Sequence, residues 1–405
     1  MNSSLLLHSG RVVRPGRVVE NGWVLVEGET IADAGSGTPP TVSGPALDLR
    51  GQWLLPGFVD LHVHGGGGHD VTSSAGAMAA AVEFHRTHGT TRTLVSLVTA
   101  PLVDLEQQLG RVAELVSDSG GHVVGSHLEG PYLSHVRCGA QNPRHLRSPD
   151  RKEFSRLVAA ARGTLRSITV APELPGALDI IGDAVAAGAI AAIGHTDATY
   201  AEALRAIEAG ATVATHLFNG MRPIHHREPG PAGAALASDL ACEVINDGIH
   251  VHPAITALVN QQPGRLILVT DAIDAAGMGD GEVELGGQRV EVRNGEARLA
   301  STGSLAGSTL TMDAAVRRAV LHSGLAIVDA SVAASGTPAR LLGRGTQFGA
   351  IEPGLAADLV VLDAELMVAG VLASGGWVGA ADEPSTNGRD VTQLVQTNVV
   401  TGLDH

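Results

Sequence analysis

The sequence PGFVDLHVHG, residues 56–65, is a short apolar run that ends in two histidines. It lies between a Pro-Gly pair and four consecutive glycines, 65–68, which predicts a short buried strand. Side chains alternate along a strand, so His62 and His64 should lie on the same face. Buried imidazoles need polar partners, because an unpaired polar group in an apolar interior is costly. A metal ion and a set of carboxylates are both possible partners at this stage.

Length and composition exclude several classes of protein. The chain has 405 residues of which 44% are apolar, enough for one large core and a smaller unit. Its net charge of −15 and aromatic content of 2% argue against binding of nucleic acid. It contains no run long and apolar enough for a membrane span, and its N terminus lacks the features of a signal peptide, which predicts a cytoplasmic protein that does not bind membranes. Cys138 and Cys242 form no disulfide framework and are expected to be reduced.

The chain divides into four segments by pattern. Residues 1–55 read as short strands separated by Gly and Pro, and residues 346–380 have the same character. These two segments are expected to pair into one small β-sandwich domain. Between them, 56–345 should form the main domain, while 381–405 are expected to be a disordered tail or a final helix.

The main domain alternates strand-like and helix-like runs. Its apolar strand-like runs are Phe58–Val63, Thr93–Val98, His122–Leu128, Ile168–Ala171, Ala189–Ile193, Thr212–His216, Cys242–Asn246 and Leu266–Thr270. Eight alternations predict an α/β fold with a TIM-like (β/α)8 barrel, whose active site lies at the C-terminal ends of the strands. An open doubly wound sheet is the alternative, but the glycines at 65–68 lack the G-x-G-x-x-G spacing of its phosphate loop.

Histidines and carboxylates follow most of these strands. They are His62 and His64, His127 and Glu129, His195, His216, Asp247 and His250, and Asp271. Each has a structural explanation when taken alone, but a barrel would bring them all together. The recurring pattern predicts a catalytic site for one or two divalent ions, with Zn²⁺ preferred and Fe²⁺, Co²⁺ or Mn²⁺ as alternatives.

The predicted chemistry is metal-assisted hydrolysis of an amide or related bond. A bound divalent ion polarises a carbonyl and lowers the pKa of water towards about 7. Asp271 follows the last strand and is the expected proton shuttle, since a carboxylate beside a cation stays ionised until it accepts a proton.

Eight motifs resemble a known family. They are HLEGPYLS (127–134), GAQNP (139–143), IGHT (193–196), THLFNGM (215–221), REPG (227–230), NDGIHV (246–251), LVTDA (268–272) and SLAGS (304–308). Together with PGFVDLHVHG they resemble the N-acetylglucosamine-6-phosphate deacetylases of the amidohydrolase superfamily. The resemblance spans nearly the whole barrel, in the same order.

The resemblance implies roles for individual residues. Glu129, His195 and His216 would hold the main metal ion, with Asp271 as the acid and base, and His62 and His64 leave room for a second ion. The amino sugar phosphate would be held by Ala140, Asn219, Gly220, His226, Arg227, His250, Leu305, Ala306 and Gly307. In this family the site is completed across a homodimer, so Arg227 and His226 would reach the phosphate in a neighbouring subunit.

Three positions depart from the family pattern, and two other functions remain open. Gln141 replaces the usual His, Gly220 the usual Ala, and Cys138 a common basic residue, which leaves the exact sugar undetermined. One alternative is an amidohydrolase acting on a cyclic amide or an N-acyl amino acid. Its dinuclear form often uses a carbamylated lysine, and the only lysine, Lys152, lies in a predicted helix before the fourth strand. The other alternative is a non-catalytic sugar-phosphate-binding barrel, against which the intact Asp271 counts.

Overall fold

The computed structural model describes residues 4–262 and 264–379. The strands are β1 (Ser4–Arg14), β2 (Arg17–Glu27), β3 (Thr30–Ser36), β4 (Ala46–Asp48), β5 (Trp53–Pro56), β6 (Phe58–Val63), β7 (Gly65–Gly66), β8 (His69–Asp70), β9 (Thr90–Val98), β10 (Val123–Glu129), β11 (Leu165–Val170), β12 (Ile190–Ile193), β13 (Val213–Ala214), β14 (Ala241–Ile245), β15 (Leu266–Val269), β16 (Gly281–Leu285), β17 (Gln288–Arg293), β18 (Glu296–Leu299), β19 (Leu359–Leu362), β20 (Val368–Ala373) and β21 (Gly376–Trp377). The α-helices are α1 (Ala75–Thr87), α2 (Leu102–Asp118), α3 (Arg151–Ala160), α4 (Ala177–Ala186), α5 (Tyr200–Glu208), α6 (Gly230–Ala237), α7 (Pro253–Val259), α8 (Met312–Leu321), α9 (Ile327–Ser331) and α10 (Thr337–Leu341). The predicted tail at 381–405 lies outside the described residues.

The predicted barrel is confirmed. Eight parallel strands follow one another in the order β6, β9, β10, β11, β12, β13, β14 and β15. The last strand returns to the first, because the Asp271 amide donates to the His62 carbonyl at 2.8 Å and Val63 bridges Ala272. All six residues of β6 are buried, as its apolar sequence predicted. The carboxyl ends of the strands therefore meet at one face of the barrel.

The outer helices begin where the sequence places capping residues. Ser74 caps α1 by accepting from the Ala77 amide, and Asp150 caps α3 through two backbone amides. At α5, Thr199 and Glu202 form a reciprocal capping box. These contacts satisfy amides that have no partner inside a helix, so each helix begins at a defined residue beside its strand. No helix in the described part of the chain is long and apolar enough to cross a membrane.

The two ends of the chain form one sheet outside the barrel. Strand β19 pairs antiparallel with β5, and the sheet continues through β1, β2 and β3 on one side and β20 and β21 on the other. A buried ion pair ties this sheet to the barrel, with Arg92 Nε of β9 at 2.7 Å from Asp358 Oδ2 beside β19. The expected pairing of the terminal segments is therefore observed.

A three-stranded antiparallel sheet, formed by β16, β17 and β18, interrupts the barrel after its last strand. We refer to residues 281–299 as the flap. Its buried side chains, including Leu285 and Val290, pack with Ile273 and Ala306 in a small separate cluster. The Gln288 side chain of the flap donates to the Ala140 carbonyl at 2.5 Å, so the flap contacts the loop that follows β10.

Candidate active site

Two histidines at the end of β6 face each other through their Nε2 atoms, which are 3.0 Å apart. The Nδ1 atom of His64 lies 3.1 Å from the Ser96 carbonyl, which can only accept, so this nitrogen carries the proton. His62 Nδ1 lies 3.3 Å from Glu243 Oε2 and is placed as a donor in the same way. Both Nε2 atoms then present lone pairs to each other, an arrangement that is stable when a cation lies between them.

A second group forms where β10, β12 and β13 end. Glu129 Oε1 lies 2.9 Å from His195 Nε2 and 3.0 Å from His216 Nε2, and the two imidazole nitrogens are 3.1 Å apart. His195 Nδ1 donates to the Arg137 carbonyl at 3.0 Å, which again leaves its Nε2 lone pair facing the group. This geometry resembles the first pair and indicates a second set of metal ligands.

The two groups are adjacent and share a wall. His62, His64 and Asp271 form one possible ligand set, and Glu129, His195 and His216 form the other, with the ligand atoms of each set within 4.8 Å of one another. Glu129 also approaches the first set, because its Oε2 lies 3.2 Å from His64 Nε2. Buried nitrogen and carboxylate ligands fit a divalent metal, and the donor chemistry suits ions such as zinc, iron, cobalt or manganese.

The backbone is strained where three of these side chains arise. His195, His216 and Asp271 have φ angles of 46°, 27° and 48°, in the left-handed region that residues other than glycine rarely adopt. Each residue lies two positions after the last residue of its barrel strand, where the chain turns away. Such strain is concentrated at functional sites, where the surrounding structure holds a side chain in a required direction.

The charges of the site favour ionised carboxylates. Burial raises the pKa of Glu129, but the neighbouring His62 and His195 outweigh this effect and hold it well below its usual range. Burial likewise opposes ionisation of Asp271, but the adjacent imidazoles of His62 and His64 outweigh this effect and bring its pKa to about 2. Both carboxylates are therefore available as ligands or proton acceptors near neutral pH.

His127 is not part of either ligand group, although it follows the same strand pattern. Its Nδ1 lies 2.9 Å from Ser96 Oγ and its Nε2 lies 2.9 Å from Thr169 Oγ1. Burial lowers its pKa well below the usual value, so the ring is neutral. The structural explanation is correct for this histidine.

A cavity of about 340 Å³ opens beside the two ligand groups. Six of the residues expected to hold substrate line it, namely Ala140, Asn219, Gly220, His250, Leu305 and Gly307. Ala306 is buried in the flap cluster and is not among the lining residues. His226 and Arg227 lie on an exposed loop and contact each other at 2.8 Å, away from the lining of this cavity.

His250 reaches the cavity from the loop after β14. Its Nδ1 lies 2.6 Å from Asp247 Oδ2, and the other Asp247 oxygen accepts from the amides of Ile249 and His250. Burial disfavours the charged imidazole, but Asp247 outweighs this effect and raises its pKa. Asp247 thus favours the cationic form of an imidazole that faces the cavity, and this form would suit an anionic substrate group.

One departure from the family pattern, at Gly220, has a local explanation. A Cβ atom at Gly220 would lie 2.9 Å from His195 Nδ1, and the residue has a φ of 61°, so glycine avoids both a close contact and strain. Cys138 is half-buried and burial raises the pKa of its thiol, which keeps it protonated.

Sequence reasoning missed several residues of the site. Arg137, Leu285 and Ser304 line the cavity, and Glu243 orients both His62 and the His216 amide. Glu243 lies within β14 rather than at its end, so a search of strand ends does not find it. The flap residue Leu285 could have been found, because the Gly286-Gly287 and Asn294-Gly295 pairs between alternating apolar residues are hairpin signals.

Comparison with known proteins identifies the family. Residues 53–397 match the Amidohydrolase family. The chain belongs to the amidohydrolase family. This amidohydrolase is 40% identical over 322 residues to the N-acetylgalactosamine-6-phosphate deacetylase of Escherichia coli O157:H7, which covers 78% of this chain and 85% of that protein. It is 37% identical over 358 residues to the N-acetylglucosamine-6-phosphate deacetylase of Bos taurus, which covers 84% of this chain and 87% of the relative.

Solved structures extend the similarity to the fold. An N-acetyl-D-glucosamine-6-phosphate deacetylase mutant from Mycobacterium smegmatis, in complex with N-acetyl-D-glucosamine-6-phosphate, shares 43% identity with this amidohydrolase at a TM-score of 0.88. The match covers 93% of this chain and 99% of that one. The Thermotoga maritima N-acetylglucosamine-6-phosphate deacetylase is 30% identical at a TM-score of 0.84 and covers 93% of this chain and 100% of its own.

Proposed function

We propose that this amidohydrolase is a metal-dependent deacetylase that converts N-acetylglucosamine 6-phosphate to glucosamine 6-phosphate and acetate. The observation that carries the proposal is the pair of adjacent ligand groups joined by Glu129 at the wall of a cavity that also contains Asp271. The relatives named deacetylases, at 36–43% identity, support the same reaction class.

Glu129, His195 and His216 would hold the main divalent ion, and His62, His64 and Asp271 would hold a second. Zinc is the proposed metal, since two histidines and one carboxylate form a ligand set that suits it well. When bound, such an ion polarises the acetamide carbonyl and supplies water with a pKa near 7.

Asp271 is the proposed proton carrier. Its Oδ1 lies 3.2 Å from His64 Nε2, so the carboxylate is held between the ligand groups and the cavity. It accepts the proton of the water that attacks the acetamide carbon, and then donates that proton to the amine nitrogen as the C–N bond breaks. Acetate and the free amino sugar phosphate leave the site.

The phosphate would be held by cations of two subunits. His250 is the charged donor within the cavity, and its pairing with Asp247 supports this role. Arg227 and His226 are exposed and lie outside the cavity of their own chain, which fits a role in the site of a second copy. We propose a homodimer in which this loop reaches the neighbouring phosphate, as a guanidinium suits a dianionic phosphate.

N-Acetylgalactosamine 6-phosphate is the second candidate substrate. The Escherichia coli relative at 40% identity is named for this sugar, which differs from N-acetylglucosamine only at the C4 hydroxyl. The departures at Gln141 and Gly220 lie on the cavity wall, where such a difference would be read. We propose a cytoplasmic location for either activity, in keeping with the two free cysteines.

Acetate release tests the proposal. Protein of measured metal content is assayed with both 6-phosphates and with unphosphorylated N-acetylglucosamine, before and after chelation. A preference for N-acetylglucosamine 6-phosphate that chelator abolishes is the expected result. A higher kcat/KM for N-acetylgalactosamine 6-phosphate would change the assigned substrate but not the reaction. Equal rates with the unphosphorylated sugar would contradict the phosphate site. No acetate from metal-loaded protein would refute the deacetylase activity.

A further inference from the structure

Gln141 holds one oxygen of the proposed metal ligand Glu129. It lies in the loop after β10 and is 5% exposed. Its Oε1 accepts from the Thr99 amide at 2.8 Å, and its Nε2 donates to Glu129 Oε2 at 2.5 Å. Both ends of the side-chain amide therefore bind the protein, across the ends of two neighbouring barrel strands.

The orientation of this amide follows from its partners. The Thr99 amide can only donate, so the oxygen of Gln141 must face it and the NH₂ group must face Glu129. An ionised carboxylate can only accept, and burial makes a charged hydrogen bond to it strong. Thr99 adds a second link, because its hydroxyl donates to the Glu129 backbone carbonyl at 3.0 Å.

The two oxygens of Glu129 are thereby given different partners. Oε1 faces His195 and His216, at 2.9 Å and 3.0 Å. Oε2 accepts from Gln141 and also faces His64 Nε2 at 3.2 Å. A carboxylate free to rotate would lose this alignment. We propose that Gln141 is a positioning residue that fixes the plane of the Glu129 carboxylate and so keeps Oε1 aimed at the His195–His216 ligand group. The inference deepens the proposed function, because it concerns the same site.

Substitution by leucine tests the role with little change in volume. In Gln141→Leu, Oε2 of Glu129 loses its amide donor and keeps only the facing Nε2 of His64, so the ligand group should bind its ion less firmly. We expect release of bound Zn²⁺ to a chelator to become roughly 10–100-fold faster, as is usual when a partner of a metal ligand is lost. The visible absorption of the Co²⁺-substituted protein should also change, since it reports the ligand geometry directly.

Gln108→Leu is the matched control. Gln108 is also buried, at 9% exposure in α2, and it does not line the cavity. Its Oε1 is buried without a hydrogen-bond partner, so Gln108→Leu should leave both Zn²⁺ release and the Co²⁺ spectrum unchanged. If Gln141→Leu does not fold, Gln141→Asn provides the test, because its side chain is one methylene too short to reach both partners and should also accelerate release.

Unchanged Zn²⁺ release and an unchanged Co²⁺ spectrum in a folded Gln141 variant would overturn the inference and leave a purely structural role. These measurements need no substrate. If no acetate is formed but Gln141→Leu still releases Zn²⁺ faster than the control, the proposed function fails while the positioning role stands.

Discussion

Replacing Asp271 with asparagine should slow acetate release from N-acetylglucosamine 6-phosphate by roughly 10³–10⁴-fold. General acid–base catalysis by one side chain contributes about 10²–10⁴-fold. We expect the upper half of this range, because other titratable side chains at the cavity already have hydrogen-bond partners and are not free to replace Asp271. Glu129 is engaged by Gln141 and His195, and His250 is paired with Asp247. The expected loss corresponds to about 4–5.5 kcal/mol of barrier height.

The assay must separate proton transfer from metal binding. Asp271 belongs to one ligand group, so zinc content has to be measured in each preparation and matched to the wild type. The loss should then be in kcat with little change in KM, because the proton is transferred only during the reaction. Asp239→Asn is the control, since Asp239 is exposed and lies outside the cavity lining. Turnover within tenfold of wild type, in folded and metal-loaded Asp271→Asn, would refute the assignment.

Three further variants test other parts of the structure. Asp247→Asn removes the carboxylate that lies 2.6 Å from His250 Nδ1 and favours its charged form. In steady-state assays it should raise KM for the phosphorylated substrate roughly 10–100-fold, with little change in kcat. Arg92→Leu leaves the buried carboxylate of Asp358 without its partner and should lower the free energy of unfolding by about 3–5 kcal/mol in urea denaturation. His85→Gln should make stability less sensitive to acid. Burial lowers the pKa of His85 to about 4, while in the unfolded chain it is about 6.5, so protonation of the unfolded state lowers the free energy of unfolding of the wild type by about 2 kcal/mol between pH 7 and pH 5. The variant should lose about 2 kcal/mol less over the same range, as measured by urea denaturation at each pH.

Each of these expectations has a distinct contrary result. An unchanged KM in Asp247→Asn would show that the charge of His250 does not contribute to substrate binding. A double variant that adds Asp358→Asn to Arg92→Leu should recover part of the stability, and failure to do so would place the loss in packing rather than charge. For His85, identical pH dependence of unfolding in variant and wild type would show that its protonation is not linked to folding.

The ligand groups could be predicted from sequence because parallel topology makes sequence position a guide to spatial position. His62, Glu129, His195, His216 and Asp271 all follow apolar runs, and a closed barrel brings the ends of such runs together. The alternation of strand-like and helix-like runs and the sequence motifs could both be recognised without knowledge of side-chain packing. Helix starts were predictable for a similar reason, since Asp150 and Thr199 act within their own turns.

The remaining features depend on contacts between distant segments. His127 has the same sequence setting as Glu129, and only the positions of Ser96 and Thr169 show that its ring is already paired. The role of Gln141 likewise depends on its distances to Thr99 and Glu129 in two other parts of the barrel. Strand β13 was predicted to run from residue 212 to 216 but has two residues, because the chain turns away at His216, whose φ is 27°.

The closure of the barrel sets the order in which the site can assemble during synthesis. The Glu129 group is encoded by the time residue 216 has been made, but Asp271 joins His62 and His64 only when the last strand returns to the first. That closure links residues more than 200 positions apart, through the Asp271 amide and the His62 carbonyl. Contacts of such long range form late, because the loop between them must first be ordered. A nascent chain that has not yet reached Asp271 therefore holds at most one of the two ligand groups.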